Sequence, residues 1–129
     1  MPTKPSDLRV LADQLASEGG ECKFRSAISR TYYSAYHLCL ESLDLESKMK
    51  IENVQTSTHA ALIAWFVSGS GSTTTEQARQ SKSLGYALNQ LRGLRRTADY
   101  FLQLPVRMSD VKQGFEYWDD ITTSLKKAS

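Results

Sequence analysis

The chain has 129 residues, with 16 lysines and arginines against 14 aspartates and glutamates, for a formal net charge of +2 at neutral pH. Such a length suffices for one hydrophobic core and excludes two domains of ordinary size, so residues 1–129 are read as a single domain. The near balance of charge excludes retention of nucleic acid by bulk electrostatics and leaves only a local basic patch for that task.

The amino terminus, Met1-Pro2-Thr3-Lys4-Pro5, contains no apolar signal-like core, and nowhere is there an apolar run of ~18 residues. A soluble, cytoplasmic protein without a membrane partner is expected. Cys22 and Cys39 do not form a CxxC pair, and with only His37 and His59 as further soft ligands the usual zinc spacing is absent. Reduced thiols, no metal and no cofactor are the expectation.

Apolar residues recur with helical period throughout, and no stretch alternates at period two. A first helix is expected after Ser6 as N-cap, carrying Leu8, Leu11, Ala12 and Leu15 until Gly19-Gly20 ends it. A second runs from about Phe24 to Leu43, followed by a polar connection and a short helix near Thr58 to Phe66. The run Ser68-Gly69-Ser70-Gly71-Ser72-Thr73-Thr74-Thr75 reads as a flexible loop. Its glycines follow no strand and precede no Gly-Lys-Ser/Thr, so it is not a phosphate loop. Thr73 and Glu76 fit a capping box for the next helix, which carries Leu84, Leu88, Leu91, Ala98 and Leu102 and stops at Pro105. A last helix after Ser109 presents Val111, Phe115, Trp118, Thr122 and Leu125 on one face. Four longer helices and one short one predict an all-α, up-and-down bundle.

On a helical wheel of the second helix, Ile28, Tyr32, Ala35, Cys39 and Leu43 form a core stripe with Phe24 and Thr31 beside it. Ser26, Arg30, His37 and Glu41 share the opposite side, flanked by Tyr33 and Leu40, with Glu41 placed to hold the His37 imidazole. A helix so apolar around the rest of its girth belongs at the centre of the bundle or at a subunit interface. The polar stripe then lines a cleft or a partner surface, or it consists of interface hydrogen-bonding groups without chemistry.

Arg95 falls inside the buried arc defined by Leu84, Leu88, Leu91, Ala98 and Leu102. An arginine cannot shed its charge, so one directed at a core must meet a carboxylate, several carbonyls or a solvated cavity. Asp99, four residues on, is the local partner, and Arg92 and Arg96 extend the basic strip outward. Three arginines within five residues, near several tyrosines, suit a phosphate backbone gripped by guanidinium groups while rings stack on bases. The alternative is a structural Arg95–Asp99 pair with two solvated arginines.

The segments Ser29-Arg30-Thr31-Tyr32-Tyr33-Ser34-Ala35-Tyr36-His37 and Leu94-Arg95-Arg96-Thr97-Ala98-Asp99-Tyr100, in that order, resemble the HEPN (higher eukaryotes and prokaryotes nucleotide-binding) family, in its small bacterial branch with SRxYYxxxH and LRxxADY motifs. The resemblance implies a helical bundle that forms homodimers and serves a toxin–antitoxin or phage-defence system, often with a small nucleotidyltransferase as partner. Active members are metal-independent ribonucleases whose site is an arginine followed at short spacing by a histidine. Carried over, Arg95 takes the arginine position, and Tyr100 stands where the shortest form of that motif has histidine. A phenol with pKa ~10 is a poor base at neutral pH. The resemblance therefore favours a nucleotide-, RNA- or partner-binding module lined by Arg30, Tyr33, Arg92, Arg95, Arg96 and Asp99. The alternatives are a ribonuclease using Arg95 with His37 or Tyr100, and a purely structural helical adaptor.

Overall fold

The computed structural model describes residues 2–128, and among them it is all helical: α1 (Pro5–Glu18), α2 (Glu21–Glu41), α3 (Leu45–Glu52), α4 (Thr58–Val67), α5 (Thr75–Tyr100) and α6 (Met108–Ala128). The helix α3 occupies what the sequence reads as a polar connection. Its N-cap Asp44 accepts a hydrogen bond from Ser47 N at 2.7 Å, and it buries only Ile51, so a local cap rather than an apolar stripe makes it helical. None of the described helices is long and apolar enough to cross a membrane.

The helix ends differ from expectation for identifiable reasons. Pro5, not the residue after Ser6, opens α1, because proline needs no N–H partner at the first helical position. The Asp7 carboxylate accepts from Lys4 N at 2.8 Å. Gly19 and Gly20 take positive φ angles of 79° and 97°, which lets α2 start at Glu21 after a two-residue turn. Thr74 rather than Thr73 caps α5, accepting from Gln77 N at 3.1 Å, while Thr73 donates to the Gln77 side chain.

Packed against α1, α4, α5 and α6, α2 is the central helix. Its stripe divides the core into two connected clusters. Tyr32, Ala35 and Cys39 join Leu62, Leu84, Leu88, Leu91 and Ile121 in one, and Ala27 and Ile28 join Ala12, Ala16, Ala98, Val106 and Val111 in the other. Each fully buried leucine or isoleucine contributes about 1.5–3 kcal/mol against leaving it in water. The crossing of α4 over α5 is close because Gly85 has no side chain there: a β-carbon would lie 2.8 Å from Val67. Tyr36 and Leu40, which in an isolated helix would expose an apolar face, are both buried within this single chain. Their burial removes that face as a ground for dimerisation.

Candidate functional site

Arg95 points inward from α5, its side chain only 13% exposed. Its Nε donates to Asp99 Oδ2 at 2.9 Å, and its Nη2 donates to the Tyr33 hydroxyl at 2.7 Å and to the Tyr100 hydroxyl at 3.3 Å. Ser29 on α2 donates to the same Asp99 oxygen at 3.2 Å. The guanidinium carbon lies 5.1 Å from the Tyr33 ring centre, 5.2 Å from that of Tyr100 and 5.7 Å from that of Tyr32, so three electron-rich faces surround the cation. Burial works against the Arg95 charge, and the Tyr33 and Tyr100 hydroxyls with Asp99 outweigh it, holding its pKa above the ordinary arginine value. Two of its three nitrogens are thus engaged. Nη1 has no hydrogen-bond partner among the described residues and is not among the buried, unsatisfied atoms, so it faces a solvent-reachable position.

The imidazole nearest this group comes from α4. His59 Nδ1 lies 2.6 Å from the hydroxyl of Tyr32, which is fully buried. The His59 ring stacks on Tyr36 at 4.4 Å and on Tyr32 at 5.5 Å and meets Tyr33 edge-on at 5.9 Å. Desolvation lowers the His59 pKa, and electrostatic interaction with Arg95, Arg92 and His37 lowers it further, so the ring is predominantly neutral at pH 7. Burial pushes the Tyr32 phenol well above its ordinary value, so it keeps its proton. With His59 as the sole partner of that hydroxyl among the described residues, the phenol donates to Nδ1, and the proton of the neutral imidazole resides on Nε2. His59 then presents a hydrogen-bond donor rather than a free base.

Arg25 fixes the end of α5 on which Asp99 and Tyr100 sit. Buried on α2, it donates through Nη1 to the carbonyls of Thr97, Ala98 and Phe101 and through Nη2 to those of Leu102 and Leu104. Glu21, one turn earlier, accepts from the same guanidinium at 2.8 Å and from Val106 N at 3.3 Å. These bonds supply partners for carbonyls that a helix end leaves open. They also account for the end of α5 at Tyr100, five residues before Pro105, with Leu102 outside the helix and exposed.

Of the residues singled out from sequence, Arg95, Asp99, Tyr33 and Tyr100 meet in one group. Arg92 lies beside it, close enough for its charge to act on both Tyr32 and His59, and its buried Nε has no partner among the described residues. Arg96 and Arg30 are exposed and enter no hydrogen bond or ion pair with the group. His37 is exposed too, edge-on to Tyr36 at 5.2 Å and 6.4 Å from Tyr33. Glu41 does not hold its imidazole; the two side chains line a shallow recess of about 220 Å³ with Thr3, Lys4, Pro5 and Leu8. His59, Ser29 and Arg25 escape the sequence reading. A wheel of α2 places Arg25 beside the Ile28 and Tyr32 stripe, and that placement is the sequence signal for its burial.

The described residues contain no group of three or more His, Cys, Asp or Glu side chains able to hold a metal ion. Cys22 is exposed, Cys39 is buried, and neither is in a disulfide. Comparison with family models, with curated proteins and with solved structures finds no match for this chain.

Proposed function

We propose that this chain is a HEPN-type helical module that binds a phosphate-bearing ligand, a nucleotide or RNA, at the Arg95 group, and that it works as a homodimer in a toxin–antitoxin or phage-defence setting. The observation that carries the reading is Arg95 itself: positioned by Asp99, Tyr33 and Tyr100, it keeps Nη1 available beside an Arg92 side chain that has no partner among the described residues and beside an exposed Tyr100 ring. A guanidinium held rigid in this way meets a phosphate oxygen with little further loss of side-chain entropy, and an exposed phenol next to it is a stacking platform for a base. The neutral His59 adds a donor rather than a general base, which favours binding over cleavage; a ribonuclease using Arg95 with His59, His37 or Tyr100 is the second reading.

Next to this group, Tyr100, Phe101, Leu102 and Leu104 are all exposed, forming an apolar strip that supports a contact with a second copy. A small nucleotidyltransferase is the protein partner suggested by the HEPN resemblance. The test is titration with a labelled single-stranded oligoribonucleotide and with ATP. Arg92→Gln and Tyr100→Ala are expected to weaken binding by about tenfold or more each while the fold is retained. Affinity unchanged in both variants overturns the reading, and cleavage of the oligonucleotide that disappears in His59→Asn replaces it with the nuclease.

A further inference from the structure

At another end of the bundle, a half-open cleft of about 460 Å³ lies between the end of α2, the start of α3, the end of α4, the loop at 70–72, the first half of α5 and the end of α6. It is separate from the Arg95 group: along α5 its lining stops at Leu84, eleven residues or roughly 16 Å of helix before Arg95. Its volume falls in the range of small-molecule sites.

The chemistry of the lining is selective. Among the described residues, no lysine, arginine or histidine lines the cleft and the sole charged one that does is Asp44, so a phosphate or carboxylate would enter without a counter-charge from them. Hydroxyl and amide groups dominate the polar part. Trp65 Nε1, Gln77 Nε2, Ser72 Oγ and Ser124 Oγ carry no hydrogen bond to another described residue, and all four belong to residues that line the cleft. An entirely apolar ligand would leave those groups without partners. Trp65 also offers an indole ring that is stacked on no other aromatic ring among the described residues, with Leu84 and Leu125 completing an apolar side.

We propose that this cleft binds an uncharged, hydroxyl-bearing ring compound, a sugar held free or as part of a nucleoside, with one ring face on Trp65 and its hydroxyls on Gln77, Ser72 and Ser124. A sugar ring matches both halves of the lining, because its C–H face is apolar and its edge carries hydroxyls that donate and accept. Asp44, whose carboxylate is held ionised by Ser47, adds a strong acceptor for one such hydroxyl.

The experiment is an NMR titration of the full chain with glucose, N-acetylglucosamine, adenosine and cytidine, following the indole N–H resonance of Trp65 assigned through Trp65→Phe. Saturable movement of that resonance with at least one probe below ~10 mM is expected, as is weakening by about tenfold in Gln77→Ala and in Ser124→Ala. Movement with glucose or N-acetylglucosamine alone assigns a free sugar, and movement with adenosine or cytidine assigns a nucleoside. For a nucleoside, the 5′-monophosphate is expected to bind this cleft about tenfold more weakly, since its phosphate meets no cation. No saturable movement with any probe overturns the proposal, as does equal binding in both alanine variants. Both variants lie far from Arg95, so oligoribonucleotide affinity measured on the same samples reports separately on the Arg95 group.

Discussion

Tyr32 and His59 share a hydrogen bond of 2.6 Å in which a fully buried phenol on α2 fixes the tautomer of a half-exposed imidazole on α4. Because Tyr36 stacks on the same imidazole at 4.4 Å and its hydroxyl reaches Thr58 at 3.2 Å, the start of α4 is clamped to the middle of α2 by aromatic rings. That clamp brings His59 into the electrostatic reach of Arg95 and Arg92.

The clamp has a pH dependence of definite sign. The folded-state pKa of His59 lies below the unfolded value, first through desolvation and then through Arg95, Arg92 and His37. Well above the unfolded value of about 6.5 both states hold a neutral ring and the contribution is complete; as the pH falls through that value, the unfolded chain takes up a proton that the folded chain resists, and stability is lost. Denaturation midpoints of the unmutated protein are expected to drop more between about pH 7.5 and pH 5.5 than those of His59→Asn. Parallel declines would show that His59 titrates alike in both states.

Arg95 and Arg96 are neighbours with opposite surroundings. Arg95→Ala strips Asp99 of its cation, removes the donor to Tyr33 and Tyr100 and opens a gap among three rings, at an expected cost of about 2–3 kcal/mol. Arg96→Ala removes an exposed side chain and is expected to fall within about 0.5 kcal/mol of the unmutated protein. Equilibrium denaturation in urea separates the two, and equal midpoints would contradict the account of the Arg95 pair.

Arg25→Ala is expected to be the more damaging of the buried-arginine changes, since five carbonyls and Glu21 lose one shared donor. A cost of about 3–5 kcal/mol follows from leaving several part-buried acceptors unsatisfied. Arg25→Lys is expected to recover only part of it, because an ammonium has three protons and lacks the planar fork that spans these carbonyls. Full recovery by lysine, measured by thermal unfolding, would reduce Arg25 to a simple counter-ion for Glu21.

Much of this arrangement is legible in the sequence because it is local or periodic. The inward position of Arg95 follows from the spacing of Leu84, Leu88 and Leu91, and its partner Asp99 lies one turn away. The contacts that escape a sequence reading are those between positions far apart in the chain. Nothing local to Thr58-His59 says that its imidazole meets Tyr32, 27 positions earlier, and nothing local to Arg25 says that its carbonyl partners lie 72 to 79 positions later. For the same reason Leu102 fits a helical stripe on paper while the Arg25 bonds hold it outside the helix. The brief α3 leaves no periodic signal in the sequence, because Ile51 is its single buried residue.

The central claim, that the Arg95 group with Arg92 takes hold of phosphate, is tested most directly by the salt dependence of oligoribonucleotide binding. Each phosphate neutralised on a single strand adds about 0.7 to the slope of log affinity against log salt. The account predicts affinity that falls steadily with salt, with a slope shallower by about 0.7 in Arg92→Gln than in the unmutated protein. Binding indifferent to salt, or one slope shared by both proteins, would contradict it.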